Sequence, residues 1–290
     1  MSGALTVLHP GTHSSVQDLG RAGLGRLGLG VGGAADRGSL ELANRLVGNA
    51  PAAAGIEAAL GGLALRAEAD LLVAVTGAAG PVTVGSASVG RNAPLPLPAG
   101  AVLTLGAPSA GLRTYVAVAG GLDTPVILGS RSHSSLGDLG APLASAEVLP
   151  VGGPPNRLPD TDVAPVAAPP TAAARLEITP GPRLARLTPA AREHLVGQPY
   201  AVTADLDRTG VRLDGPALGL ADTSELPSEG MVRGAVQVPP AGRPILFLSD
   251  HPATGGYPVV AVLTPRAADR AAQLTPGMSV GLVWSRATAP

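Results

Sequence analysis

Short apolar runs interrupted by glycine, proline and asparagine dominate the chain. Residues 5–8 form one such run, stopped by His9-Pro10-Gly11. From Ile56 onward the runs 62–67, 71–76, 81–84, 101–105 and 114–119 recur at regular spacing, as in a β-barrel or sandwich. Between these two regions lies a helical pattern at 35–48, in which Leu40, Ala43, Leu46 and Val47 share one face. Asp36 is placed to cap its start and Gly48-Asn49 to end it. Residues 151–174 are rich in proline and alanine, without periodicity, and read as an extended linker. A strand then begins at Arg175. A short helix follows, capped by Thr188 with proline at its first position. Further short strands are predicted near 200–204, 210–213, 245–248, 258–263 and 278–284, with a small helix at 265–274. The pattern predicts a mainly β protein with a few short helices. Its organisation is an N-terminal β-rich unit at 1–150, the linker at 151–174 and a C-terminal β unit at 175–290. Residues 97–105 and 274–282 share a turn-into-strand pattern, a weak sign of two related β units.

Composition narrows the chemistry. With 290 residues, 45% of them hydrophobic, the chain is long enough for two domains of roughly 150 residues each. Aromatic residues are only 2%, so the core rests on Val, Leu, Ala and Ile. The net charge is −1 and no basic stripe is interleaved with aromatics, which argues against nucleic acid as a partner. No cysteine is present, which excludes disulfides, thiolate chemistry and cysteine-ligated zinc. No lysine is present either, so Schiff-base chemistry, a P-loop lysine and covalent attachment of biotin or lipoate cannot reside on this sequence. Neither a signal peptide nor an apolar run of the ~18 residues of a membrane span is evident, and the expected location is cytoplasmic.

Few stretches concentrate reactive side chains. Gly28, Gly30 and Gly33 match G-x-G-x-x-G by spacing, but no strand precedes them, so a dinucleotide site is rejected. The stretch is expected instead to wrap backbone closely around something. Histidines 9, 13, 133, 194 and 251 show no metal-ligand spacing, and no metal is expected. The densest cluster is S-D-H-P-A-T-G-G-Y at 249–257, set between two apolar runs. Asp250, His251, Thr254 and Tyr257 offer an acid, an imidazole, a hydroxyl and a phenol. Gly255 and Gly256 offer a turn with positive φ or a close backbone approach. The plain alternative is a polar hairpin loop whose side chains satisfy its own backbone. Gln17, Asp18 and Arg21 form a second group, although Asp18 and Arg21 pairing with each other would explain them without function. Arg131 is either a surface arginine or an anion contact, and Ser228, Glu229 and Gln237 are the polar candidates leading into the 249–257 stretch. Any catalysis would therefore run through carboxylates, histidine, tyrosine and hydroxyls.

A set of motifs in fixed order carries a family resemblance. They are Q-D-L-G-R (17–21), A-A-D-R-G-S-L-E-L-A-N-R-L-V-G-N (34–49), L-G-G (60–62), Y-V-A-V-A-G-G-L (115–122) and G-S-R-S (129–132) in the first half. D-R-T-G-V-R-L-D-G (207–215), S-E-G-M-V-R-G-A-V-Q-V-P (228–239) and D-H-P-A-T-G-G-Y-P (250–258) follow in the second. The chain resembles the biotin-dependent carboxyltransferase family, also called allophanate hydrolase subunit 2, whose best characterised bacterial role is as the C subunit of 5-oxoprolinase. The resemblance implies cyclophilin-like barrel units. It also implies one component of a heteromeric hydrolase that opens the lactam of 5-oxoproline to glutamate at the expense of ATP, inactive alone. The implied partners are an allophanate hydrolase subunit 1-like protein (the B subunit of 5-oxoprolinase) and a third component, the A subunit. ATP is used on a partner, and biotin is possible only on a separate chain. Two alternatives follow from relatives: a carboxyltransferase component of a biotin-dependent urea or amide carboxylase, and a regulator antagonising a histidine-kinase inhibitor. Under the enzyme reading Asp250 is the base or amide acceptor, and His251 and Tyr257 polarise or shuttle a proton. Thr254, Gly255 and Gly256 donate to an oxyanion. Gln17, Asp18, Arg21 and Arg131 form a second cluster suited to a planar carboxylate, with Ser228, Glu229 and Gln237 as further substrate contacts.

Overall fold

The computed structural model describes residues 3–155 and 157–286. The chain divides into two compact units. The first comprises the residues up to Arg21 with Gly32–Pro169, and the second comprises Ala22–Val31 with the residues from Pro170 on.

The first unit contains β1 (Ala4–Pro10), β2 (His13–Gln17), α1 (Arg37–Leu46), β3 (Gly55–Ala59), β4 (Leu63–Ala67), β5 (Leu71–Ala79), β6 (Val82–Val84), β7 (Ala87–Val89), β8 (Pro94–Leu97), β9 (Val102–Leu105), β10 (Ala110–Val118) and β11 (Val148–Pro150). The order β11-β1-β4-β9-β6-β7 makes a six-stranded sheet and β2-β3-β10-β5-β8 a five-stranded one. Alternation along the strands explains the layering. Val73, Val75, Val116 and Val118 join Leu5, Val7, Leu65 and Leu103 in one core between the sheets. The intervening Ala74 and Ala117 pack with Ala43, Leu46 and Val47 of the α1 region on the other face. α1 starts where predicted, with the Asp36 carboxylate accepting from Ser39 N at 2.9 Å. It ends before Gly48, whose φ of 75° and close approach to the Arg157 carbonyl leave no room for a Cβ.

Two strands of this unit escape the hydrophobic pattern. β2 reads H-S-S-V-Q, yet Ser14, Ser15 and Gln17 are buried. They are tolerated because their side chains are hydrogen-bonded: Ser14 Oγ donates to Pro10 O, and Gln17 Nε2 donates to Ser15 Oγ and His133 O. β8 reads P-L-P-L, and its prolines survive because it is an edge strand.

The second unit contains β12 (Ala173–Pro180), α2 (Pro189–Gly197), β13 (Tyr200–Leu206), β14 (Gly210–Asp214), β15 (Glu229–Gly230), β16 (Ala235–Gln237), β17 (Ile245–Phe247), β18 (Thr254–Gly255), β19 (Val259–Leu263), α3 (Pro265–Ala271) and β20 (Ser279–Trp284). Seven strands close into a barrel in the order β12-β19-β16-β17-β14-β13-β20, sealed by the parallel pair β12 and β20. Closure removes the exposed edges that an open sheet presents. The protein is thus mainly β with short helices, as the sequence pattern indicates. Thr188 and Thr264 cap α2 and α3, each followed by a proline inside the first turn.

The connection through 249–257 is not a hairpin. β17 and β19 do not pair with one another. β16 lies between them, with Val236 opposite both Leu246 and Ala261. The polar stretch therefore spans a crossover, and within it β18 forms a two-stranded ribbon with β15.

Candidate functional site

The turn D-R-T-G at 207–210 builds the floor of the site in the second unit. Asp207 Oδ1 accepts from Thr209 N at 2.7 Å and Gly210 N at 3.0 Å, an Asx-type turn. The ladder between β14 and β17 then continues past the barrel strands: Leu248 N donates to Thr209 O and Asp250 N to Arg208 O. That register sets Arg208 beside Asp250. Arg208 Nε lies 2.9 Å from Asp250 Oδ2 and Nη2 lies 3.2 Å from Oδ1, a two-pronged ion pair. Both residues are buried, at 8% and 3% exposure. His251 is buried beside them, and its Nδ1 lies 2.8 Å from Pro252 O. A carbonyl only accepts, so Nδ1 carries a proton in this contact. Gly30 belongs to the same unit and packs here. A Cβ on it would sit 2.8 Å from the His251 carbonyl oxygen. Gly30 thus makes a close backbone approach, and Gly25–Leu27 within the glycine-rich stretch is a 3-10 turn rather than a nucleotide-binding strand–helix junction.

The other side of the stretch is held by side chains from β15 and β16. Glu229 pairs with Gly255 and Gly230 with Thr254 along the ribbon. Gln237 is buried, and its Nε2 donates to Tyr257 O at 3.0 Å. Neither Gly255 nor Gly256 adopts a positive φ. Gly255 is needed for space: a Cβ there would lie 2.9 Å from Gln237 Nε2 and 3.1 Å from Met231 Sδ. Glu229 binds the Arg183 guanidinium, whose Nε lies 3.1 Å from each carboxylate oxygen. That hydrogen bond holds Glu229 below the usual carboxylate range and raises Arg183. The candidates here therefore fall into two classes. Asp250, His251 and Gln237 are buried, whereas Ser228, Thr254, Gly256 and Tyr257 are exposed, with Tyr257 at 49%.

The candidates of the first unit gather at the end of β2. The Asp18 carboxylate accepts from Ser130 Oγ and Ser132 Oγ at 2.6 Å each, and from Gly20 N and Arg131 N at 2.7 Å each. Four donors fill the acceptor sites of a carboxylate, so Asp18 acts as a staple fixing the 130–132 loop. Arg21 donates from Nη2 to Ser132 O. Arg131 forms an ion pair with Asp123 at 2.7 Å. Gln17 Oε1 is buried without a hydrogen-bond partner among the described residues. Ser130, Ser132 and Asp123, which complete this cluster, were not singled out by sequence reasoning, and neither were Arg208 and Arg183. The Gly-Ser-Arg-Ser and Asp-Arg-Thr-Gly turns were the available signals, since each sets a polar side chain beside a tight turn.

A further buried polar group lies under the start of α1. Glu57 Oε2 accepts from Tyr115 Oη at 2.8 Å and from Ala35 N at 2.9 Å. Tyr115 Oη accepts in turn from Asp36 N at 2.7 Å, and Arg113 Nε lies 3.5 Å from Glu57 Oε1. Burial first, and the Glu57 charge second, push the Tyr115 phenol well above its ordinary range. This network secures the helix N-terminus to the sheet.

Comparison with known proteins places these elements in a family. A family model described as carboxyltransferase domain, subdomain A and B, matches residues 27–284. The chain is 34% identical over 283 residues to the C subunit of 5-oxoprolinase from Escherichia coli (strain K12), covering 96% of this chain and 90% of that protein. It is 28% identical over 312 residues to the urea amidolyase of Saccharomyces cerevisiae, covering 97% of this chain but 16% of that protein. Among solved structures, TTHA0988 superposes with a TM-score of 0.89 at 35% identity, over 97% of this chain and 55% of that one. The Kluyveromyces lactis urea amidolyase gives 0.86 at 31%, over 97% of this chain and 18% of that one. The chain therefore spans about half of the first of these structures and less than a fifth of the second. A match across nearly the whole chain, in sequence and in backbone, establishes that this protein belongs to the carboxyltransferase domain family of subdomains A and B.

Proposed function

We propose that the chain is the C subunit of an ATP-dependent 5-oxoprolinase complex. The observation that carries this reading is the 34% identity to a 5-oxoprolinase C subunit across 96% of this chain and 90% of that protein. The complex opens the lactam of 5-oxoproline to glutamate, together with a partner of the B-subunit type and a third component that uses ATP. The chain is inactive alone. The division of the 249–257 stretch into buried and exposed residues supports distinct roles. Asp250 and His251 are positioning residues, because Arg208 and Pro252 already engage them. Thr254 and Tyr257 are the side chains in reach of a small cyclic amide. The Tyr257 phenol donates a proton or hydrogen bond to the carbonyl oxygen as its charge develops, and Thr254 Oγ1 with the backbone N–H groups of Gly255 and Gly256 adds donors to the same oxygen.

Reconstitution tests the reading. Co-expression with homologues of the B and A subunits should yield 5-oxoproline-dependent ATP hydrolysis with release of glutamate. A stable complex that turns over another amide but not 5-oxoproline would overturn the substrate. In the active complex, Tyr257→Phe should lower kcat by about 10²-fold, the typical share of one general acid. Because Tyr257 is exposed, the same variant should unfold within about 0.5 kcal/mol of the parent. Full activity in Tyr257→Phe would remove the phenol from the mechanism.

One relationship favours a second reading. The chain aligns over 97% of its length with a part of urea amidolyase, which supports a carboxyltransferase component acting with a biotinyl protein on another chain. Sensitivity of the reconstituted activity to avidin separates the two.

A further inference from the structure

The outer face of the barrel carries a second concavity, chemically unlike the 249–257 stretch. Along β12 the buried Ala174, Leu176 and Ile178 alternate with Arg175 and Glu177, which are exposed on the opposite face. β20 runs parallel to β12, with Arg175 opposite Gly281 and Glu177 opposite Val283. A Cβ built on Gly281 would meet nothing within 4 Å, so that part of the surface is open. α3 buries Ala267, Ala268 and Ala271 and leaves Arg266 and Arg270 exposed, one helical turn apart. Beyond β20 the chain turns at Arg286. These elements enclose a pocket of 460 Å³ lined by Arg175, Glu177, Arg266, Arg270, Trp284 and Arg286.

The charge balance of this pocket is unusual for the molecule. Four guanidiniums face one carboxylate, a formal surplus of three positive charges. Several arginines elsewhere in the unit are neutralised by neighbours: Arg183 by Glu229, Arg208 by Asp250, Arg212 by Asp205 and Arg243 by Asp214. The acidic residue of α3 itself, Asp269, pairs with Arg233 at 2.7 Å. Among the described residues, none of the four pocket arginines has a side-chain hydrogen bond or ion pair. Like charges brought together on a strand, a helix and a terminal turn repel one another, and a bound polyanion reverses that cost. Guanidinium forks match phosphate oxygens, and several forks from different directions suit a group with acceptors all round rather than one planar carboxylate. Trp284 adds an aromatic wall.

We propose that this pocket binds a small anion of the polyphosphate class, either free or as the phosphate chain of a nucleotide. The proposal is independent of the reaction proposed above, since it concerns binding to the chain by itself. Trp284 is the sole tryptophan in the protein, so its fluorescence reports the pocket directly. Titration of the full chain with inorganic tripolyphosphate at low salt should give a saturable change, weakened as salt rises. The double variant Arg266→Gln/Arg270→Gln should weaken binding by about tenfold or more. Both positions are exposed, and circular dichroism should show an unchanged fold. A nucleoside triphosphate that binds as tightly as tripolyphosphate identifies the phosphate chain as the recognised part. Tighter binding that falls back to the tripolyphosphate level in Trp284→Leu, followed calorimetrically, assigns the base to Trp284. Absence of a saturable signal at millimolar tripolyphosphate, an unaffected double variant, or tighter binding of citrate than of tripolyphosphate would each overturn the proposal.

Discussion

The Arg208–Asp250 pair decides what can be learned by mutating the 249–257 stretch. Asp250 invites substitution as a catalytic base, but its side chain is fully buried against a guanidinium at 9% exposure. Removing either partner leaves the other charge buried and unpaired, a loss of about 3–5 kcal/mol. Asp250→Asn and Arg208→Gln should each destabilise the protein by an amount of that order. The double variant should cost clearly less than the sum, because the second change removes the orphaned charge. Denaturant unfolding of the four proteins in this cycle measures the coupling. Additive losses would mean that the two side chains do not act as a pair, and would return Asp250 to the list of free bases. Sequence reading found Asp250 and His251 from their density in one loop. It did not find Arg208, because the two partners are 42 positions apart and only the ladder between β14 and β17 brings them into register. Asp18 shows the same limit. Its spacing to Arg21 suggests a local pair, whereas three of its four donors come from the 130–132 loop and the fourth is Gly20 N.

At the scale of elements, the sequence was most legible where one local rule acts alone. α1 begins at its cap, and α2 and α3 begin at threonine followed by proline, because each depends on a few adjacent residues. Strand pairing depends on residues far apart, and there the plain alternative of a hairpin fails in a specific way. Two apolar runs flanking a polar stretch look like a hairpin, but β16, a three-residue strand that ends in the polar Gln237, separates them. β2 was missed for another reason: its buried serines and glutamine carry no apolar alternation. The junction of α1 with β3 and β10 offers a test. Tyr115 is buried and hydrogen-bonded to Glu57, so its folded pKa lies well above the ordinary value of 10.0. A phenol whose pKa rises on folding contributes stability that is fully present below the unfolded value and is lost as pH rises toward the folded one. Burial likewise pushes Tyr200 up to about 12, so both act in the same window. Stability should therefore be flat near neutrality and fall from about pH 10 upward. Tyr115→Phe should be less stable at neutral pH, since Asp36 N and Glu57 lose a partner, but should show a shallower alkaline decline. An identical alkaline slope in parent and variant would contradict the assignment.

For the whole molecule, the question is which chemistry this chain can hold and which must be supplied to it. Two arrangements among its relatives bear on this. One is a protein of nearly its own length, since the alignment covers 90% of a 5-oxoprolinase C subunit. The other is a segment amounting to 16% of a urea amidolyase. The scaffold is common to both, so the scaffold alone does not separate a lactam hydrolase from a carboxyltransferase. The acceptor chemistry differs in one testable respect. A carboxyltransferase needs a carboxylated carrier, and biotin is carried on lysine, a residue that this sequence lacks altogether. We propose that any biotin is carried outside this sequence, where avidin can sequester it. The 5-oxoprolinase reading needs no carrier. Prior incubation of the reconstituted complex with excess avidin is therefore expected to leave 5-oxoproline-dependent glutamate release unchanged, and omission of the B-subunit homologue is expected to abolish it. Loss of activity with avidin, restored by free biotin added to the avidin beforehand, would transfer the chain to the carboxyltransferase role. Undiminished turnover by this chain alone would show that its exposed Thr254 and Tyr257, with the backbone of Gly255 and Gly256, suffice for the chemistry without a partner.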